Sequence, residues 1–300
     1  MLVFWVIAAG AFGLVVGSFL NVVIYRLPNE MSVLWPASHC PKCKKPVAPY
    51  DNIPVVSWLM LRGRCRRCRA EISGRYPLVE ALTGCLFALV FYLYFDRSVG
   101  VAVVYSAAAA ALVAATFIDI DYQIIPDEIT IGGAVLGPVA SFIVPALHIP
   151  ASGVIDPARP WAGGVPGVPQ LAERYLAALG SWSVRIDAVG ASLLGLLVGG
   201  GVIATIGILG KFVFRKEAMG FGDVKLMAFV GSVIGWRAIP LVIFGASVVG
   251  ILYFLVGLTK KNRGEGQVAF GPALATATIV VMLGWQPFFE GVMNYYVELF

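Results

Sequence analysis

Apolar runs of about 20 residues recur along this chain, and each is long enough to cross the ~30 Å hydrocarbon layer of a bilayer. Within lipid, backbone polar groups must be satisfied inside the segment, so such runs fold as helices. The composition agrees: of 300 residues, 59% are hydrophobic and 13% charged. The expected fold is an all-α polytopic membrane protein. Many of the 34 glycines sit inside apolar runs, as in Gly195-Leu196-Leu197-Val198-Gly199-Gly200-Gly201, where small residues let helices approach closely.

The runs place spans at roughly 2–24, 77–95, 99–119, 129–147, 188–210, 224–236, 238–258 and 269–289. The sixth is short and stops at Gly235-Trp236-Arg237. Met1-Leu2-Val3-Phe4-Trp5 lacks the basic start of a cleavable signal, so the first run reads as an uncleaved span. The net charge is +5, and basic residues crowd into 26–75, 211–225 and 260–263. That bias marks those segments as cytoplasmic. Basic residues in short loops are what membrane topology demands, which argues against nucleic-acid binding.

Three domains are expected: a first transmembrane helix (1–24), a cytoplasmic cysteine-rich domain (25–76) and a multi-helix membrane domain (77–300). A second polar insertion, about 148–187, is rich in Pro, Gly and Ala and falls on the extracytoplasmic side.

Cys40-Pro41-Lys42-Cys43 and Cys65-Arg66-Arg67-Cys68 form two C-x2-C knuckles separated by 21 residues. Four thiolates at this spacing can close a tetrahedral site, usually for Zn²⁺. A loop this short has little core of its own, so the metal would contribute folding free energy. A reducing cytoplasm argues against disulfides. Cys85, inside the second span, reads as a small core residue, and His39 as a loop residue.

Carboxylates at a membrane boundary are costly and imply function. Asp119 ends an apolar run in Phe117-Ile118-Asp119-Ile120-Asp121. Asp223 opens another in Gly220-Phe221-Gly222-Asp223. Gly220 and Gly222 free the backbone and remove bulk beside the acid. A helix N-terminus favours an ionised Asp223, and Lys225 adds to that; a helix C-terminus disfavours charge on Asp119. Two such acids can share one proton. The ionised member would take a proton from water while the protonated member polarises a carbonyl, which is amide hydrolysis. Asp127, after Pro126, reads as an N-cap for the fourth span. Asp121 reads as a solvated loop acid.

The Gly220–Asp223 sequence matches the G-x-G-D signature of membrane aspartyl peptidases. More narrowly, the chain resembles the bacterial type IV prepilin leader peptidase/N-methyltransferase family. The resemblance runs through Gly17-Ser18-Phe19-Leu20-Asn21, Tyr50-Asp51-Asn52-Ile53-Pro54, Arg75-Tyr76-Pro77-Leu78-Val79-Glu80, Asp119-Ile120-Asp121, Ile125-Pro126-Asp127, Glu217-Ala218-Met219, Val224-Lys225-Leu226-Met227 and Phe270-Gly271-Pro272. It implies cleavage of a basic leader from prepilins or pseudopilins after a Gly, at the cytoplasmic face of the inner membrane. It also implies N-methylation of the new first residue, commonly Phe, with S-adenosylmethionine. By motif match Asp119 and Asp223 are the catalytic acids. Asp121 and Asp127 match neighbouring positions, and the cysteine loop is similar to the part associated with methyl transfer. No glycine-rich nucleotide fingerprint follows a strand, so no residue is assigned to that cofactor.

The 148–187 insertion departs from the family, where this connection is often shorter. Asp51, Glu71 and Glu80 are the acids available to meet a basic leader. Two other readings compete: a transporter or channel whose intramembrane acids carry protons or cations, and a metal-stabilised scaffold without chemistry of its own.

Overall fold

The computed structural model describes residues 1–96, 98–148, 182–214, 219–258 and 270–284. Most of the 148–187 insertion, the Glu217-Ala218 pair and the basic cluster at 260–263 lie outside them. Among the described residues the secondary structure is helical, with two isolated β-bridges and no strand. The chain forms two compact units, Met1–Ile124 and Ile125–Phe300.

The first unit holds α1 (Leu2–Arg26), the short α2 (Val56–Met60), α3 (Arg75–Tyr94) and α4 (Val99–Tyr122). α1 packs along α3, and both touch α4. Glycine sets the closeness of the first pair. A Cβ at Gly13 would stand 2.9 Å from the Gly84 Cα, and one at Gly17 would stand 2.7 Å from the Glu80 Cα. The outer faces stay apolar and exposed, as at Phe12, Val15 and Leu89. Those faces suit lipid. Ser98 caps α4, its hydroxyl accepting from Val101 N at 3.3 Å, and the buried Ala108–Ala110 and Leu112–Ala115 stretch makes α4 the core element.

The second unit holds α5 (Asp127–Ile143), α6 (Trp182–Phe214), α7 (Phe221–Ile234), α8 (Ile239–Leu258) and α9 (Gly271–Gly284). α7 packs along α6 and against α5. Where α6 and α7 cross, Gly195 and Gly231 face each other's carbonyl oxygens so closely that neither position admits a side chain. The Ser192 hydroxyl donates to Ser232 O at 2.7 Å across the same interface. Gly133 seats the Phe229 ring and Gly137 seats Ser232.

Helices occupy all eight expected positions. Among the described residues five stretches are long and apolar enough to cross a membrane: Leu2–Asn29, Arg75–Tyr94, Val99–Tyr122, Val184–Val213 and Trp236–Tyr253. The others are shorter: 17 residues in α5, 14 in α7, and α9. At 1.5 Å per residue α7 is about 21 Å long, less than a bilayer core. Cys85 corrects the sequence reading. It lies exposed on the outer face of α3 rather than in the core.

Candidate functional site

The cysteine loop is built from two copies of one local design. In each knuckle the second cysteine is followed by a residue with positive φ, Lys44 (54°) and Arg69 (59°). That twist lets Lys44 N reach Cys40 O at 2.8 Å and Arg69 N reach Cys65 O at 2.9 Å. A second bond closes each turn, Cys40 N to Lys45 O at 3.0 Å and Cys65 N to Ala70 O at 2.8 Å. The bridges His39–Pro46 and Arg64–Glu71 repeat the pairing. The sequence spacing showed the cysteines but not this internal repeat.

The four sulfurs of Cys40, Cys43, Cys65 and Cys68 lie within 4.8 Å of one another, and Cys40 Sγ is 3.7 Å from Cys68 Sγ. A tetrahedral ion with ~2.3 Å metal–sulfur bonds needs sulfurs about 3.8 Å apart. The quartet therefore fits a zinc-sized S₄ site. Backbone N–H groups of Cys68 and then Arg67 hold the Cys65 thiol down to about 6. Those of Cys43 and Lys42 lower Cys40, whose partial burial works against them. At Cys68 the Ala70 N–H lowers the thiol, but burial and the neighbouring sulfurs outweigh it and push it up to about 11. Amide donors aimed at sulfur are what thiolate ligands require.

Polar contacts fasten this loop. Arg26, buried at the end of α1, donates to Ser32 O at 2.9 Å and Pro36 O at 2.6 Å. Arg66 grips Asp51 through Nε and an Nη, 2.6 Å at the closest, and its guanidinium lies over the Tyr50 ring. Glu80 Oε2 accepts from Val55 N at 2.7 Å. Asp51 and Glu80 are thus turned inward to the protein, which corrects the reading of them as acids presented to a basic leader.

Asp119 lies in the last turn of α4, 7% exposed. Gln123, with φ 55°, ends the helix by donating its N–H to Asp119 O at 3.0 Å. Arg75, at the start of α3, clamps that turn. One Nη donates to Asp121 Oδ2 at 2.5 Å, the other to Phe117 O at 3.1 Å, and the guanidinium stacks over the Phe117 ring. So Asp121 is an ion-pair partner rather than a free loop acid. Arg75 also brings a cation to a helix C-terminus, which offsets the negative end of the dipole beside Asp119. Only the fold brings Arg75 there, 46 positions from Asp121.

Asp223 occupies the first turn of α7, 8% exposed, with Gly220 at the N-cap. Its N–H donates to Gly220 O at 3.1 Å, and its carboxylate folds back toward Gly220. Gly220 has φ −73° and ψ 148°, a conformation open to any residue. A Cβ there would stand 3.7 Å from Asp223 Oδ2, and one at Gly222 would stand 3.4 Å from Ile125 Cβ. These glycines supply space beside the acid, not unusual backbone freedom. Lys225 extends to Asp127, Nζ to Oδ1 at 2.6 Å, and its ammonium sits 5.0 Å from the Phe221 ring centre. The observed N-cap of α5 is Pro126, and Asp127 stands one position inside the helix. It therefore pairs with lysine rather than capping with its side chain.

Comparison with known proteins places these features. Residues 11–94 match the bacterial peptidase A24 N-terminal domain, and residues 174–255 match the type IV leader peptidase family. The second match contains Asp223; Asp119 falls between the two. An Escherichia coli O78:H11 protein, the type 4 prepilin-like proteins leader peptide-processing enzyme, is 35% identical over 288 residues, 90% of each chain. A Dichelobacter nodosus prepilin leader peptidase/N-methyltransferase is 33% identical, covering 94% of this chain and 90% of its own. Its Neisseria gonorrhoeae namesake is 32% identical, covering 91% and 88%. No solved structure matches. The transporter reading finds no support among these relatives. With relatives above 30% identity spanning nine-tenths of its length and two domain matches around its cysteines and G-x-G-D acid, this chain belongs to the type IV leader peptidase family.

Proposed function

We propose that this enzyme removes the leader of type IV prepilins or pseudopilins after a Gly, then N-methylates the new first residue, commonly Phe. The observation that carries the reading is the pair of buried acids, Asp119 at the C-terminal end of α4 and Asp223 at the N-terminal start of α7. Buried carboxylates at helix ends beside apolar spans are costly to keep without a task. The relatives' names supply the substrate class and the second activity.

Asp119 and Asp223 act as a dyad sharing one proton. One carboxyl is ionised while the other holds the proton, and the N-terminal dipole of α7 favours Asp223 as the ionised member. Asp223 takes a proton from water as the water oxygen bonds to the scissile carbonyl carbon. Asp119 gives its proton to the carbonyl oxygen. The carbon–nitrogen bond then breaks as the nitrogen takes the proton held by Asp223 and Asp119 recovers one from the gem-diol, which resets the dyad. The products are a leader ending in a carboxylate and a pilin with a free α-amine. Gly220 and Gly222 leave room beside Asp223 for the substrate backbone. A basic leader held in the cytoplasm and an apolar helix held in lipid put the bond at the interface, the depth expected of the dyad.

The domain division proposed is that expected from the sequence: a first span (1–24), a cysteine domain (25–76) and a membrane peptidase domain (77–300). Cys40, Cys43, Cys65 and Cys68 would hold Zn²⁺, which would stabilise the loop and take no part in cleavage. S-adenosylmethionine supplies the methyl group when bound. The enzyme sits in the bacterial inner membrane with the cysteine loop and the dyad facing the cytoplasm, and the 148–187 loop facing outward.

Detergent-solubilised full-length protein incubated with a purified prepilin tests the reading. The substrate should shorten by its leader and gain one methyl group on its first residue. Normal shortening by both Asp119→Ala and Asp223→Ala would overturn the dyad.

A further inference from the structure

Glu80 is a buried carboxylate with no place in the cleavage chemistry. It sits on α3 against α1, 9% exposed, where Gly17 admits no side chain because the Glu80 backbone fills the space. Its Oε2 accepts the Val55 N–H at 2.7 Å.

Its partner is strained. Val55 has φ 60° and ψ −50°. Val56 N bonds back to Pro54 O at 2.6 Å, closing a three-residue turn of the rare γ type. A β-branched residue in that region is costly, and such strain persists only where surrounding contacts enforce it. Val55 is the single β-branched residue among the described non-glycine positions of positive φ. The carboxylate provides one such contact.

The far side of the turn leads to the cysteines. Ser57 Oγ donates to Tyr50 O at 2.9 Å and accepts from Ile53 N at 3.2 Å, so residues 50–57 form one knot. Asp51 in that knot holds Arg66, which lies between Cys65 and Cys68. Trp58 Nε1 donates to Ile72 O at 3.1 Å just beyond the second knuckle. A continuous set of contacts therefore runs from Glu80 on a membrane helix, through Val55, to the second cysteine knuckle.

We propose that Glu80 is a positioning residue: by capturing the Val55 N–H it docks the cysteine loop on the α1–α3 pair, and this docking serves methyl transfer rather than cleavage. The assignment of two activities rests on the reading above. Glu80 acts through the loop and touches neither substrate nor methyl donor. A carboxylate, not a neutral acceptor, suits the place because hydrogen bonds to charged groups are the stronger ones, and a strained turn needs a strong hold.

The test uses full-length protein, a purified prepilin and radiolabelled S-adenosylmethionine, with leader removal and methyl incorporation read separately. Glu80→Ala is expected to keep leader removal within about twofold of the parent and lower methyl incorporation about tenfold or more, the scale of one charge-assisted hydrogen bond. Amides of 50–58 should exchange with solvent faster. Glu80→Gln, which keeps a carbonyl acceptor, should lose much less. Val55→Gly relieves the strained φ, so Glu80→Ala/Val55→Gly should recover part of the methylation that Glu80→Ala loses. Equal losses of both activities in Glu80→Gln and Glu80→Ala, or unchanged amide exchange in Glu80→Ala, would overturn the proposal. If the parent protein neither cleaves nor methylates, the functional reading fails by itself, and the amide exchange still decides whether Glu80 docks the loop.

Discussion

Lys225 Nζ stands 2.6 Å from Asp127 Oδ1, joining the first turn of α7 to the first turn of α5. Lys225 is two residues from Asp223, and sequence alone favours pairing it with that acid. The pair is partly exposed, with Asp127 more open than Lys225. Exposed ion pairs contribute at most about 1 kcal/mol. Asp127→Asn is therefore expected to leave thermal stability nearly unchanged and leader removal measurable. A collapse of cleavage equal to that of Asp223→Asn would place Asp127 in the reacting machinery instead.

The proposed dyad predicts a sharper loss. Asp119→Asn and Asp223→Asn should each lower the cleavage rate by about 10²–10⁴, the usual worth of a positioned acid or base. The residual activity should have a changed pH dependence, since one titrating member is gone. Identical pH profiles for parent and variants would remove the carboxyl pair from the mechanism.

Chelation separates the two halves. Cys40→Ser, or exposure to a strong chelator, should release one bound zinc per chain and loosen residues 27–74 to protease. Methylation should fall more than leader removal. Metal content measured by mass spectrometry checks the first point. Loss of cleavage from a chain whose loop stays protease-resistant would show that the metal serves the peptidase.

The glycines divide by what surrounds them. Gly231→Ala would drive a methyl group into the Gly195 carbonyl and force α6 from α7. Overpacking of this kind costs about 1–3 kcal/mol, so a clear fall in melting temperature is expected. Gly220→Ala meets its nearest neighbour at 3.7 Å, an ordinary contact, and should fold like the parent. Its effect should fall on substrate turnover alone. Melting curves for the two variants decide.

His148 gives the second unit a pH dependence. Burial lowers its imidazole to about 4 from an ordinary 6.5, with Nε2 2.8 Å from Ser141 Oγ. Above about 6.5 the folded and unfolded chains both hold it neutral and nothing changes. Between about 6.5 and 4 the unfolded chain binds a proton that the folded chain refuses, so stability falls as pH falls, by roughly 3 kcal/mol in all. His148→Gln should flatten that part of the stability curve. A parent protein equally stable at pH 7 and pH 5 would contradict the burial argument.

Much of this protein was legible before any coordinates. Apolar length gave helices at all eight positions, because hydrocarbon leaves the backbone no other open arrangement. The two C-x2-C motifs gave the four-sulfur cluster, since short-range spacing within each knuckle fixes half of a tetrahedron. The G-x-G-D run gave an acid in the first turn of a helix.

What the sequence left open depended on partners distant along the chain. Arg75 meets Asp121 and Phe117, Lys225 meets Asp127, and Glu80 meets Val55, each across a separation that no periodicity reports. The face of α3 that points outward decided that Cys85 is exposed. Local composition determined which segments become helices and which cysteines gather into one cluster. The tertiary fold alone decided which charge answers which, because Coulomb forces and hydrogen bonds act over a few ångströms of space whatever the distance along the chain.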